Sequence, residues 1–299
     1  MVKLLDGSMW ACLKEFGFDG AQHKPHWTFE ANQNPDLIRN AYQKNLDIGV
    51  DYITTNTYHF GSTLHPDFAK EAAKYEEYFK TSCGVMEDVT KNSNSKKVQI
   101  LGSVGTFATY FHDCSEYTGA YADLPNVDVL CSKYFRNIFK AFQKFSNIRE
   151  LIIETIPTSL EVVGLLKVIN DFPDFKIIVS FTLKENGDLR HGENLGTIVE
   201  GLKTCEQVIG VGINCTDPEN VLSGLEIFKP HNFENVFVYS NIGDQSFLDD
   251  GNHPKFVYNK DLVKLWINNG ATVIGGCCGV DSENLRQLRI LISEYNAEK

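Results

Sequence analysis

The sequence predicts a (β/α)8 barrel of the α/β class, on three observations. Eight short runs rich in Val, Ile and Leu recur along the 299 residues. Each is followed by a stretch of helical periodicity, and none alternates strictly between apolar and polar positions. Strict alternation marks a strand wet on one face; its absence marks parallel strands buried on both. Eight such pairs fill one barrel domain, expected to cover residues 1–299. An open doubly wound sheet is the alternative, but its Gly-rich phosphate turn after the first strand is missing.

The elements follow in order. Residues 2–5 form the first strand, and Pro35 opens a helix over 36–46. The second strand spans 52–55, followed by a long helix over 67–89 that is charged along one side. Strand three covers 98–103 and its helix 127–145; strand four covers 151–155 and its helix 159–170. Strand five, 177–181, leads to a helix over 194–205. Strand six, 209–214, leads to one over 218–228, entered through Thr216-Asp217-Pro218-Glu219, a cap followed by a first-turn proline. Strand seven, 236–240, precedes a helix over 260–268 that Gly270 follows. Strand eight, 272–276, and a helix over 282–295 complete the set.

Charge and composition exclude several functions. Lys and Arg number 28 against 39 Asp and Glu, a net charge of −11. Nucleic-acid binding needs a basic face and is not expected. No apolar run reaches the roughly 20 residues that span a bilayer. Asp6 interrupts the N-terminus before the apolar core of a signal peptide forms. The expectation is a cytoplasmic protein without membrane contact. Eight cysteines are too sparse for a disulfide scaffold, so reduced thiols serve as metal ligands, nucleophiles or core filler.

A barrel carries its active site at the C-terminal ends of its strands. Those ends present Asp6, Asn56, Ser103, Glu154, Phe181, Cys215, Asn241 and the pair Cys277-Cys278. Cys215 ends strand six, and the pair ends strand eight between glycines. Three thiolates with one open position suit a catalytic zinc site, since structural zinc takes four protein ligands. Adjacent side chains on an extended strand point apart, so both reach one ion only where the strand breaks into a loop. A vicinal redox disulfide is the competing use of the pair. Cys12, Cys83, Cys114, Cys131 and Cys205 have no such partners and read as packing.

Gly275-Gly276-Cys277-Cys278-Gly279 with Gly212-Ile213-Asn214-Cys215 resembles the homocysteine S-methyltransferase family, whose members are zinc-dependent barrels. The likeness extends to Leu5-Asp6-Gly7, Thr54-Thr55-Asn56-Thr57-Tyr58, Gly102-Ser103-Val104-Gly105, Ser115-Glu116-Tyr117-Thr118-Gly119-Ala120-Tyr121, Glu154-Thr155 and Tyr239-Ser240-Asn241. It implies that Cys215, Cys277 and Cys278 bind Zn2+ and that the homocysteine thiolate takes the open position. It also implies that Asp6 and Glu154 bind the α-amino group, with the backbone at Gly7 and Ser8 receiving the carboxylate. Asn56 and Ser103 are further candidates, and Asn241 matches an asparagine that occupies the metal without substrate. The sequence departs from the family at Ser8, where a second glycine is usual, at Thr106-Phe107-Ala108, and at Ser240, where proline is common.

The resemblance implies methionine synthesis from homocysteine and a methyl donor. Betaine users carry a C-terminal extension, and cobalamin or folate users carry extra domains. S-methylmethionine or S-adenosylmethionine is therefore the expected donor. The aromatic and acidic loop after strand three suits a sulfonium cation, with Phe107 and Tyr110 as candidate contacts. Two alternatives stand beside this: a selenocysteine methyltransferase, and a zinc- or redox-responsive binding protein on a barrel without turnover.

Overall fold

The computed structural model describes residues 1–19, 27–92, 97–241 and 258–298. Among them are eight strands: β1 (Lys3–Leu4), β2 (Tyr52–Thr54), β3 (Gln99–Gly105), β4 (Glu150–Ile156), β5 (Lys176–Phe181), β6 (Val208–Asn214), β7 (Asn235–Ser240) and β8 (Val273–Gly276). All pair in parallel, β1 with β8 and then in sequence order round to β2. The ring closes through a single bridge from Leu5 to Tyr52, with Asp51 N–H on Leu4 O at 2.7 Å and Asp6 N–H on Tyr52 O at 3.2 Å. The fold is the predicted (β/α)8 barrel.

The helices are α1 (Met9–Glu15), α2 (Trp27–Glu30), α3 (Pro35–Ile48), α4 (Ala72–Asn92), α5 (Val127–Phe145), α6 (Ser159–Ile169), α7 (Leu195–Lys203), α8 (Val221–Phe228), α9 (Lys260–Asn268) and α10 (Ser282–Ala297). Two expected helices start late. Pro66–Glu71 and Pro218–Asn220 form 3-10 turns, each opened by its proline, and the α-helices begin at Ala72 and Val221. Helix α1 was not expected, because seven residues carry too little periodicity to register. The Ser8 hydroxyl caps it, accepting Ala11 N–H at 3.2 Å. Among the described residues no helix is long and apolar enough to cross a membrane.

The apolar residues divide into two layers. Leu5, Tyr52, Leu101, Ile152, Ile178, Phe237 and Val273 fill the inside of the barrel. A larger cluster, with Phe79, Phe135, Phe139, Phe142 and Trp266, seals the strands against the helices. Each such burial is worth about 1.5–3 kcal/mol. The inner plug stops short of the C-terminal strand ends. There the lining turns polar.

Candidate active site

The three cysteines meet at that mouth. Their sulfurs all lie within 4.8 Å of one another, and no other group of three or more potential ligands occurs among the described residues. Cys215 Sγ and Cys278 Sγ are 3.7 Å apart, while Cys215 and Cys277 are in disulfide contact. Two sulfurs on one tetrahedral ion at the zinc–thiolate distance of about 2.3 Å stand roughly 3.8 Å apart, so the Cys215–Cys278 spacing suits a shared ion once the pair is reduced. Burial pushes the Cys278 thiol up to about 11; a cation at this point would reverse that preference. The remaining cysteines stay outside the cluster: Cys12, Cys83 and Cys131 are buried, Cys114 is exposed and Cys205 half-buried.

Local backbone explains how the sulfurs converge. β8 ends at Gly276, so the cysteine pair lies in the turn beyond it, and Gly279 takes the left-handed conformation at φ 80°. Gly275 and Gly276 are required by close packing. A Cβ on Gly275 would stand 2.7 Å from Leu5 Cβ, and one on Gly276 would stand 2.2 Å from Val280 Cγ1. Gly275 lets β8 lie against Leu5 and Asp6 at the end of the first strand, and Gly276 leaves room for Val280, so that the turn beyond β8 folds back on it. Cys215 itself is left-handed at φ 46°, and so is Thr155, at φ 64°, at the end of β4. A β-branched residue there is strained.

The Asn214 side chain holds the left-handed Thr155. Its Oδ1 accepts Thr155 N–H at 2.9 Å and Ser180 Oγ at 2.7 Å. Its Nδ2 donates to Thr155 Oγ1 at 2.7 Å and reaches Cys277 Sγ at 3.9 Å. One side chain thus ties β4, β5 and the sulfur cluster together. Its sequence signal was only its place before Cys215.

The carboxylates line the same mouth. Asp6, 4 % exposed, accepts Thr54 N–H at 2.7 Å and Thr54 Oγ1 at 2.9 Å, both on Oδ2. Glu154 accepts the Ser103 hydroxyl on Oε1, so Ser103 orients an acid. Burial pushes each acid up to about 7, and for Asp6 the charge of Glu154 adds to the rise. No lysine or arginine forms an ion pair with either among the described residues. Two such acids facing one mouth suit an ammonium ligand. The buried Tyr239 hydroxyl borders Glu154 and helps to favour its ionised form.

Other expected residues are engaged elsewhere. Ser8 N–H donates to Val280 O at 3.1 Å and its hydroxyl caps α1, so both its polar groups are engaged within the protein. Asn56 donates to Thr28 O at 2.6 Å and Asn32 Oδ1 at 3.1 Å, so it fixes the loop after β2. Asn241 is buried at the end of β7, its N–H on Thr216 O at 3.2 Å. Phe107 is 3 % exposed and packs among Tyr110, Phe111, Tyr121 and Tyr134; Tyr110 stacks on it and touches His65. The mouth is reached instead by Tyr117, whose phenol pairs with Cys278. Sequence reading quoted Tyr117 within a motif without giving it a role.

The sequence profile of the family described as Homocysteine S-methyltransferase matches residues 3–292. A betaine-homocysteine S-methyltransferase of Drosophila melanogaster is 27% identical over 285 residues, covering 91% of this chain and 83% of that one. A selenocysteine Se-methyltransferase of Brassica oleracea is 25% identical over 315 residues, covering 95% and 87%. The fold is that of the homocysteine methyltransferase MmuM of Escherichia coli in its metallated form, with a TM-score of 0.81, 24% identity and coverage of 97% and 96%. With a profile match that spans the barrel and the sulfur cluster alike, the chain belongs to the homocysteine S-methyltransferase family.

Proposed function

We propose that this enzyme transfers a methyl group from a sulfonium donor, S-methylmethionine or S-adenosylmethionine, to the thiol of homocysteine, with zinc held by Cys215, Cys277 and Cys278. The observation that carries the reading is the three-sulfur cluster at a mouth also lined by two unpaired acids. Three protein ligands leave one position for a substrate atom. A thiol-bearing amino acid brings a sulfur for that position and an ammonium for the acids.

Zinc, when bound, supplies the Lewis acidity that keeps a substrate thiol ionised at neutral pH. The chain's own residues then bind and orient. Asp6 and Glu154 take the ammonium, Thr54 and Ser103 fix those acids, and the Gly7 amide meets the carboxylate. In the transfer a lone pair of the homocysteine thiolate forms the new bond to the methyl carbon. The old carbon–sulfur bond breaks, and its electron pair leaves on a neutral sulfide. Charge is conserved and no proton moves, so catalysis rests on alignment. A sulfide leaves more readily than the tertiary amine betaine would release, which favours the sulfonium despite the name of the Drosophila relative. A selenol would fit the same place, as the name of the Brassica relative suggests.

The test is methionine formation by reduced, zinc-loaded protein given homocysteine with S-methylmethionine, S-adenosylmethionine or betaine. Turnover is expected with S-methylmethionine and none with betaine. Turnover with betaine alone would overturn the donor assignment. Zinc and homocysteine binding without turnover on any donor would favour a binding protein.

A further inference from the structure

The loop after β5 leaves the barrel as a tight hairpin. Leu183 bridges Leu189 antiparallel, Lys184 N–H donates to Asp188 O at 2.9 Å, and Gly187 is left-handed at φ 83°. The base of the hairpin is tied to the Cys215 turn: Thr182 Oγ1 donates to Cys215 O at 3.1 Å and Leu183 N–H to Thr216 Oγ1 at 3.0 Å. Its far end is tied to the loop after β3. His191 packs on Gly119, where a Cβ would stand 2.6 Å from the His191 Cβ, and the imidazole reaches Asp123 at 3.4 Å.

Arg190 is held between these two ties. Its Nε donates to Thr182 Oγ1 at 3.2 Å, and its guanidinium carbon lies 6.0 Å from the ring centre of Tyr117. Thr182 touches the Cys215 turn, and Tyr117 pairs with Cys278. A half-buried cation therefore overlooks the sulfur cluster on a rigid support. A guanidinium carries five N–H donors; among the described residues the protein uses one in a hydrogen bond, and the Asp217 carboxylate favours its charge without forming an ion pair with it. A groove of about 440 Å³ opens beside it, lined by Lys184, Glu185, Asn186, Arg190 and Asn220. A partly desolvated planar fork with free donors suits a carboxylate.

We propose that Arg190 binds the carboxylate of the methyl donor, which is accordingly a zwitterion bearing both an onium methyl and a carboxylate. This rests on the methyl-transfer reading and assigns its donor side. Strand order supports donor over acceptor. Arg190 follows β5, and Gly7 follows β1, four strands away round the eight-stranded ring. The acceptor and donor carboxylates then sit on opposite sides of the sulfurs. Beside Arg190, the Tyr117 ring and the half-buried Glu116 offer the onium end a π-face and a counter-charge.

The experiment compares S-methylmethionine with its methyl ester, which keeps the sulfonium and removes the carboxylate charge. The zinc-loaded protein should favour the free acid by about 10-fold or more in kcat/KM. Arg190→Met should erase that preference through the donor KM, leaving the ester and the homocysteine KM within about 2-fold; Arg190→Lys should keep part of it. Calorimetry of S-methylmethionine on zinc-loaded protein without homocysteine should show the same loss without turnover. Equal losses for acid and ester, or a raised homocysteine KM alone, would sink the assignment. If Arg190→Met does not fold, Arg190→Lys and the acid-to-ester ratio of the unsubstituted protein decide, a ratio near one overturning it. Failure of every onium donor in the unsubstituted protein would instead count against methyl transfer itself, with calorimetry still deciding on Arg190.

Discussion

Two regions of the barrel mouth hold buried acids that burial treats alike and the protein treats differently. Asp6, Glu154 and Glu161 are each pushed up to about 7 by burial. Glu161, in the first turn of α6, accepts Thr106 Oγ1 at 2.7 Å, Phe107 N–H at 2.7 Å and the Tyr121 hydroxyl. It clamps both ends of the loop after β3 and is fully buried. Asp6 commits Oδ2 to Thr54, and Glu154 commits Oε1 to Ser103. A saturated acid is a strut, whereas an acid with a spare oxygen at an open mouth keeps an acceptor for a ligand. A raised pKa by itself does not separate the two; the count of protein donors does.

The comparison breaks most visibly on the sulfur side. Cys215→Ala or Cys278→Ala should abolish both metal retention and turnover, measured by metal analysis and methionine formation. Circular dichroism should stay unchanged in either variant, because the core is large enough without metal. Full metal occupancy in one of them would remove that cysteine from the site. Next in size, Glu154→Gln should weaken homocysteine binding by about 1.5–3 kcal/mol, roughly 10- to 150-fold, with metal retained. Unchanged affinity by calorimetry would turn Glu154 into a second strut.

Glu161→Gln should give the opposite signature. A buried donor loses its acceptor, so stability should fall by about 1–3 kcal/mol and hydrogen exchange across residues 106–121 should quicken. Homocysteine affinity should move by less than about 2-fold if the acid binds no ligand. The smallest effect is on pH. All three folded-state values are raised above those of the unfolded chain, near 4. The stability these acids contribute is therefore full below that point and lost as pH rises through about 7. Melting temperature of the ligand-free protein should decline over that interval. Homocysteine affinity should rise over it, since the ammonium pairs with the ionised acids. A flat affinity profile would mean that neither acid meets the ammonium.

Much of this was legible in the residues. Apolar periodicity is local, so it located eight strands to within a residue or two and, with them, the strand ends where Asp6, Glu154, Cys215 and the cysteine pair converge. What the sequence could not decide was the use each polar group finds. Ser8 and Asn56 are engaged by neighbours, Phe107 packs rather than lines the mouth, Gly275 serves strand packing and Gly276 makes room for Val280. Asn214, Tyr117, Glu161 and Arg190 took their roles from loops that meet across the top of the barrel, Phe107 on Glu161 and Gly119 on His191. Sequence determined the scaffold and the polar groups fixed to its strand ends, because the strand period is written in adjacent residues. Only the tertiary structure decided which acids stay open and where a guanidinium keeps spare donors, because hydrogen-bond saturation depends on partners far apart in the chain.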